Sequence, residues 1–189
     1  MSGLPPAAGK SSFDLIDREK FLSLIDLPQK STVVDLACGT GKYSIAISGT
    51  EASPYTVYAV DLWEEGIDAL NQIIADNNIT NIRSVVADIS KKIPLETDSA
   101  DMCLMATVLH DLSKESQHAT LREAYRVLKP DGILMIIEFK KIDSGPGPPV
   151  NIRLAELEVE KLAVTHDFKK ISCDEIGEFN YVIKLEKSA

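Results

Sequence analysis

Two hydrophobic patterns alternate along the chain. Short continuous apolar runs recur at "STVVDL", "YTVYAVD", "IRSVVAD", "ADMCLMA" and "ILMIIEF". Continuous runs, rather than strictly alternating ones, mark strands covered on both faces. Between them apolar residues recur at helical spacing. "GKYSIAIS" starts a helix after the first run. "GIDALNQIIADNN" places Ile67, Leu70, Ile73 and Ile74 on one helical face. "ESQHATLREAYRVL" does the same with Leu121, Ala124, Tyr125 and Leu128, a stripe that reads as core, and "PDG" predicts a turn into the fifth strand. Strands alternating with helices predict an α/β fold with a parallel sheet wound on both faces. Toward the C-terminus "DSGPGPPV" interrupts the pattern, and "LAELEVEKLAVTHDF" predicts one more helix. The last two strands, "KKISCDEI" and "FNYVIKLEK", are separated by "GE" alone. A connection that short makes an antiparallel hairpin, so the sheet is expected to be parallel except at its C-terminal end.

The N-terminal part has a different character. Residues 1–11 are small and Pro/Gly-rich, and are expected to form a mobile tail. "SSFDLIDREKFLSLIDL" predicts a short helix capped by Asp17, with Phe21, Leu22, Leu24 and Ile25 as a loose apolar face. A length of 189 residues fits one domain, here 12–189, with 12–27 as an N-terminal lid helix.

Composition narrows the chemistry. Hydrophobic residues make up 44% and charged residues 26%, ordinary for a globular chain. A net charge of −9 repels polyanions, so nucleic acid is a poor partner. Cys38, Cys103 and Cys173 are an odd number without a C-x-x-C pair, which argues against a disulfide framework and a zinc or other metal site. Reduced thiols fit a cytoplasmic location. "MSGLPPAAGK" lacks the apolar core of an export signal, and no run reaches the ~18 apolar residues of a membrane span.

The candidate site lies in "VVDLACGTGKYS". In open parallel sheets ligands sit at the carboxyl ends of strands, where strand order reverses. Two ligands compete for this turn: a dinucleotide pyrophosphate, or a nucleoside without phosphate. Asp61, twenty residues beyond Gly41, suits ribose hydroxyls in either. Gly39 and Gly41 match two positions of G-x-G-x-x-G, but Ser44 occupies the third. Asp35 precedes the turn and Asp88 ends the third strand, so three acids stand at three strand ends. They disfavour a pyrophosphate and favour a ligand with an amino group, a ribose, an adenine amine and a sulfonium, as in S-adenosylmethionine.

At these residues the chain resembles the class I S-adenosylmethionine-dependent methyltransferases, and among them small relatives of the ubiquinone/menaquinone C-methyltransferases. "VVDLACGTG" resembles their first motif and "VYAVDLWEEGIDAL" their second-strand acid segment. "VVADISKKIPLETDSADMCLMATVLHDL" resembles the adenine-side acid and fourth strand, and "EAYRVLKPDGILMIIEF" the turn into the fifth. The resemblance covers about residues 30 to 140. It implies a Rossmann-like seven-stranded sheet of order 3-2-1-4-5-7-6, with S-adenosylmethionine as cofactor and a small-molecule methyl acceptor. It implies that Asp35 anchors the methionine amino group and that Gly39 and Gly41 leave room for the methionyl and ribose parts. Asp61 would bind the ribose, with Leu62 and Trp63 against the adenine. Asp88 would accept from the adenine amine, with Ile89 on the ring, and Ala106 and Thr107 would border the sulfonium. One residue departs from the family: Ala37 stands where the first glycine usually is, which is tolerated if that position does not need positive φ.

Each residue also has a structural reading. Asp35 or Asp88 can cap a following helix, Trp63 can be core, and Cys38 is taken as a packing residue. His110, after the fourth strand, is a candidate general base or a helix-start residue, and Asp111 reads as a cap. Glu138, late in an apolar strand, is either a site acid or a salt-bridge partner of Lys140 or Lys141. His118 and His166 read as surface residues. The acceptor site is expected from Ser12, Phe13, the first helix, the His110 loop and "SGPGPPVNIR", with residues 10–25 closing over the cofactor and Phe13 among the contacts. An NAD-binding oxidoreductase and a non-catalytic scaffold of the same fold remain the alternatives, and Ala37 is the hint for the second.

Overall fold

The computed structural model describes residues 9–49 and 55–188. Seven strands form one sheet: β1 (Thr32–Leu36), β2 (Thr56–Asp61), β3 (Ile82–Val86), β4 (Ala100–Ala106), β5 (Leu128–Phe139), β6 (Phe168–Glu175) and β7 (Asn180–Lys187). Among the described residues five α-helices flank it: α1 (Arg18–Ser23), α2 (Lys42–Ser48), α3 (Glu64–Asp76), α4 (Lys114–Val127) and α5 (Glu156–Val164). Strand order is β3-β2-β1-β4-β5-β7-β6. All neighbours are parallel except β7, which runs antiparallel to both β5 and β6. The expected mixed sheet and its order are therefore found. The residue 1–8 part of the expected tail lies outside the described residues.

Continuous apolar runs become strands covered on both faces. Successive side chains point to opposite sides of a strand, and Val33 and Val34 accordingly enter different cores. Val33, Met102 and Leu104 pack with Phe21 of α1, Ile47 of α2 and Leu70 of α3. Val34, Cys103 and Met105 pack with Leu121 of α4 and Val159 of α5.

Two local expectations change. The helix predicted to reach Leu128 stops at Val127, and Leu128 pairs with Ala100 instead. Pro130 disfavours helical dihedrals at Lys129, so the helix cannot continue. "PDG" then bulges out of β5, with Asp131 at φ +62°, before pairing resumes at Ile133. The N-terminal helix is six residues long, capped as expected by Asp17, which accepts from Lys20 N at 2.9 Å. Residues before it spend their hydrogen bonds elsewhere: Leu15 N donates to Ser12 O, and Asp17 N to Ile176 O in the β6–β7 turn.

Candidate functional site

A cavity of about 700 Å³ opens at the carboxyl ends of β1, β2, β4 and β5. It sits where strand order reverses between β1 and β4, and its size is that of a small-molecule site. Ala37, Gly39, Asp61, Leu62, Trp63, Asp88, Ile89, Ala106, Thr107 and His110 all line it. Asp35, Gly41, Phe13 and Glu138 do not.

One end is built on β1, β2 and β3. Gly39, at φ +57°, donates its N–H to Asp61 Oδ2 at 2.7 Å, and Trp63 N donates to Asp61 Oδ1 at 2.8 Å. Asp61 thus ties the glycine turn to β2. A carboxylate has about four acceptor sites, so Asp61 keeps capacity toward the cavity. Leu62 is 56% exposed at the cavity edge. The Trp63 indole packs over Gly66, where no side chain would fit, and its Nε1 is buried without a hydrogen-bond partner. Asp88 combines both of its readings. It accepts from Ser90 N and Oγ at 2.9 and 2.6 Å, as a cap does, and also lines the cavity. Partial burial pulls its pKa up, but the Ser90 bonds and Lys91 outweigh this and hold it below the usual carboxylate value.

Asp35 lies beneath the turn, 1% exposed. Ser44 Oγ donates to its Oδ2 at 2.6 Å, and the Ser44 N–H also reaches it, so Asp35 pins the start of α2. Burial first, and then the charge of Asp61, raises its pKa to about 7 despite both Ser44 bonds. Ser44 therefore does more than break a glycine fingerprint: it satisfies the buried acid. Gly41, at φ +75°, is needed for packing, because a Cβ there would come 2.5 Å from Leu70 Cδ1. Ala37 takes φ +63°, so the condition on which a methyl group there was expected to be tolerated, no positive φ, is not met. The turn closes regardless, with Ala37 N and Cys38 N both donating to Val60 O.

The other end is built on β4, β5 and irregular chain. His110 follows β4 in a single 3₁₀ turn, Leu109–Asp111. Its side chain is 4% exposed, and its Nδ1 lies 2.6 Å from Oε2 of the fully buried Glu138. Oε1 of Glu138 accepts the His110 backbone N–H at 3.2 Å. Glu138 is thus the partner of His110 and not of the lysines; Lys140 and Lys141 pair with Glu175 and Glu158 instead. Asp111 is not a cap, since Ser113 caps α4. Asp111 lines the cavity, with Oδ2 at 3.5 Å from His110 Nε2. Burial pulls the His110 pKa down, but the Glu138 hydrogen bond and the charges of Glu138 and Asp111 outweigh it, and the net shift is upward.

Residues 9–12 and Leu15 cover this space; α1 does not line it. The covering piece is thus the irregular chain before the helix. Ser12, 2% exposed, bridges Tyr43 OH at 2.9 Å and Thr107 Oγ1 at 3.1 Å. Thr107 is held at φ +54°, a strained value for a β-branched residue. Phe13 faces Tyr43 edge-on at 4.9 Å rather than the cavity. Asp14 pairs with Lys42 and Arg18. His118 and His166 are half-buried and meet at 2.8 Å rather than standing free on the surface. Among the described residues no cluster of three or more His, Cys, Asp or Glu could hold a metal ion, and no helix is long and apolar enough to cross a membrane.

The methyltransferase-domain family matches residues 34–136, and the chain belongs to it, as a class I S-adenosylmethionine-dependent methyltransferase. An uncharacterised methyltransferase-like protein of Schizosaccharomyces pombe is 32% identical over 123 residues, 65% of this chain and 43% of that protein. A ubiquinone/menaquinone biosynthesis C-methyltransferase of Geotalea daltonii is 29% identical over 107 residues, 57% of this chain and 45% of that one. The chain thus spans less than half the length of these relatives. A solved S-adenosylmethionine-dependent methyltransferase from Aquifex aeolicus superposes with TM-score 0.84 at 28% identity, covering 95% of this chain and 94% of that one.

S-adenosylmethionine is the cofactor of this class, and the residues present fit it. Asp61 and Asp88 offer acceptors to hydroxyl and amine donors beside the exposed Leu62. The position a dinucleotide would need as glycine is instead Ser44, committed to Asp35.

Proposed function

We propose that the protein transfers the methyl group of S-adenosylmethionine to a small protic acceptor. One observation carries this reading: a single cavity joins the Asp61–Asp88 end to His110, which Glu138 backs from β5. Asp61 would hold the ribose hydroxyls, Asp88 the adenine amine, and Leu62, Trp63 and Ile89 the adenine faces. Gly39 and Ala37 would border the methionyl part, with Ala106 and Thr107 at the sulfur. Asp35 would act on the methionine end through the turn it supports. The bound cofactor supplies a methyl group on a sulfonium. The chain's own task is to hold the acceptor in line and exclude water, and positioning alone can contribute several kcal/mol.

His110 and Glu138 add proton handling. The Glu138 carboxylate accepts from Nδ1–H, which fixes the tautomer and leaves Nε2 as the site that takes a proton from the acceptor. Because the His110 pKa is raised, this base becomes free at a higher pH than an ordinary imidazole, or once the acceptor alters its surroundings. The Ser12 bridge holds the covering segment closed over the same space.

Calorimetric titration with S-adenosylhomocysteine and with NAD is the direct test. Micromolar-range binding of the first and none of the second is expected. Tighter NAD binding would sink the reading, and binding of neither would favour a scaffold. Hydrogen exchange should show protection rising across 9–16 as well as 35–44 when S-adenosylhomocysteine binds. A response confined to the turn would remove the covering segment from the site.

A further inference from the structure

Arg153 follows the Gly/Pro-rich segment and is 4% exposed. Its Nε donates to Pro148 O at 2.9 Å. Its Nη1 reaches the carbonyls of Lys140 and Ile142 at 3.1 and 3.0 Å, and that of Ser144 at 3.4 Å. Its Nη2 reaches Pro146 O at 3.2 Å. A buried cation needs such partners, and here five backbone carbonyls spread over nine residues converge on one planar fork. The segment has little else to fold it. It contains no helix or strand, and three prolines remove amide donors. Gly145 and Gly147 turn the chain at φ +80° and +108°, and a Cβ at Gly147 would come 2.7 Å from the Phe139 ring. The guanidinium also lies 5.7 Å from the centre of that ring. Wrapped in this way, Gly147, Pro148, Pro149 and Ile152 become cavity wall together with Phe139 and His110.

We propose that Arg153 is the positioning residue of the acceptor half: its fork templates residues 140–149 into the cavity wall, and its charge balances Glu138 and Asp111 around the His110 imidazole. Calling this wall the acceptor half rests on the function proposed above; the templating itself does not. The charge role stands on placement: the Arg153 guanidinium and the His110 imidazole lie 5.7 and 6.0 Å from the centre of the same Phe139 ring, while Glu138 from β5 and Asp111 from the 3₁₀ turn face the imidazole at 2.6 and 3.5 Å. The two carboxylates favour the imidazolium and Arg153 opposes it. Lysine could keep the charge, but as a point donor it cannot span five carbonyls.

Two variants separate the roles. In Arg153→Met, amides within 141–152 should exchange about tenfold faster or more, and His110 should titrate at a higher pH by NMR. In Arg153→Lys the same amides should exchange faster while His110 titrates close to its wild-type position. In both, S-adenosylhomocysteine affinity should stay within about threefold. Unchanged exchange in both variants would overturn the template, and an unmoved His110 titration in Arg153→Met would overturn the charge role. Collapse of S-adenosylhomocysteine affinity in a folded variant would overturn the confinement to this half. Should Arg153→Met not fold, the lysine variant decides the template, and Arg153→Gln, uncharged but still a donor, replaces it for the titration. None of these readouts uses turnover, so failure to find a methyl acceptor would refute the proposed function and leave Arg153 judged on its own.

Discussion

The two ends of the cavity are made of different material. At the Asp61 end, the cavity-lining groups sit on or just beyond the ends of β1, β2 and β3, all within residues 37–89, and are fixed by short backbone contacts such as Gly39 N to Asp61. At the His110 end, the wall comes from 9–15, 107–112 and 139–152, irregular chain and a 3₁₀ turn except for Phe139 at the end of β5. There the geometry is set by buried polar side chains: Ser12 on Thr107, Glu138 on His110, Arg153 on its own loop. The difference teaches a division of labour. Under the proposed function the sheet-built end would seat the nucleoside, and a few buried polar side chains would shape the acceptor space.

The sharpest way to break this comparison is His110→Asn. The asparagine amide can still donate to Glu138, but the Nε2 acceptor is gone. Turnover, read as S-adenosylhomocysteine release across a panel of small protic acceptors, should fall by ~10²-fold or more. Affinity for S-adenosylhomocysteine should stay within about threefold. Equal loss of both would show that the two ends are not separable. The wild-type pH profile sharpens the same point. His110 has its pKa raised above the ordinary 6.5, so turnover should climb as pH rises through that higher value. Stability has the opposite sign. The imidazolium held between Glu138 and Asp111 stabilises the fold fully below the unfolded value, and that contribution is lost as pH rises through the folded one. Turnover that falls with pH across this window would remove His110 as base.

The mirror experiment is Asp61→Ala. It removes a charged acceptor whose bonds contribute ~1.5–3 kcal/mol, so S-adenosylhomocysteine should bind at least tenfold more weakly. Exchange at Gly39 should speed up as its N–H loses its partner. His110 should titrate unchanged. An unaltered dissociation constant would show that Asp61 serves only its own turn.

The same contrast explains what was legible in the sequence. Strand ends could be read because an apolar run that stops at an acid is a local signal, and it located Asp61 and Asp88 and the reversal point beside them. Glu138 could be singled out as a misfit in an apolar strand, but its partner lies 28 residues away, and no periodicity couples such positions. Arg153 bonds within its own segment, 5 to 13 residues back, but to backbone carbonyls, which carry no residue-type signal; a lone arginine directly after "GPGPPVNI" is still the kind of signal that merits asking which carbonyls it gathers. Asp35 was legible as an acid and not as a buried one, because burial under α2 depends on Ser44 being nine residues downstream on the facing turn. The lid was expected as helix because amphipathic spacing is local, whereas the bond from Ser12 to Thr107 that holds the irregular chain over the cavity is not.

Ser44→Ala tests the support beneath the sheet-built end with a smaller effect. Leaving the Asp35 oxygen without its hydroxyl should cost ~1–3 kcal/mol of stability. The Asp35 pKa is already raised to about 7, so the folded state holds a proton that the unfolded state releases near pH 4. Stability from this group therefore falls as pH rises from there through 7. Removing a bond that lowers the value pushes the folded pKa higher. The variant's deficit, measured by denaturant unfolding, should thus be larger at pH 8 than at pH 5. A deficit independent of pH would mean that Ser44 contributes packing alone.

The smallest expected effect belongs to Ala37→Gly, and it asks whether the sheet-built end is as relaxed as its regular contacts suggest. Ala37 sits at φ +63°, where a Cβ costs ~1–2 kcal/mol. Glycine removes that strain but adds ~0.5–1 kcal/mol of lost backbone freedom on folding. The two terms nearly cancel, with the balance toward the variant, so its melting temperature should match or slightly exceed the wild type. Affinity for S-adenosylhomocysteine should rise modestly if the methyl group also crowds the cavity that Ala37 lines. The two readouts separate strain from crowding: a stability gain at constant affinity means that the alanine strains the turn without touching the ligand. A clear loss of stability would mean that the positive φ is imposed at no cost by the Val60 carbonyl that accepts both Ala37 N and Cys38 N. In that case strain in this cavity would be confined to Thr107, on the side where the acceptor is expected.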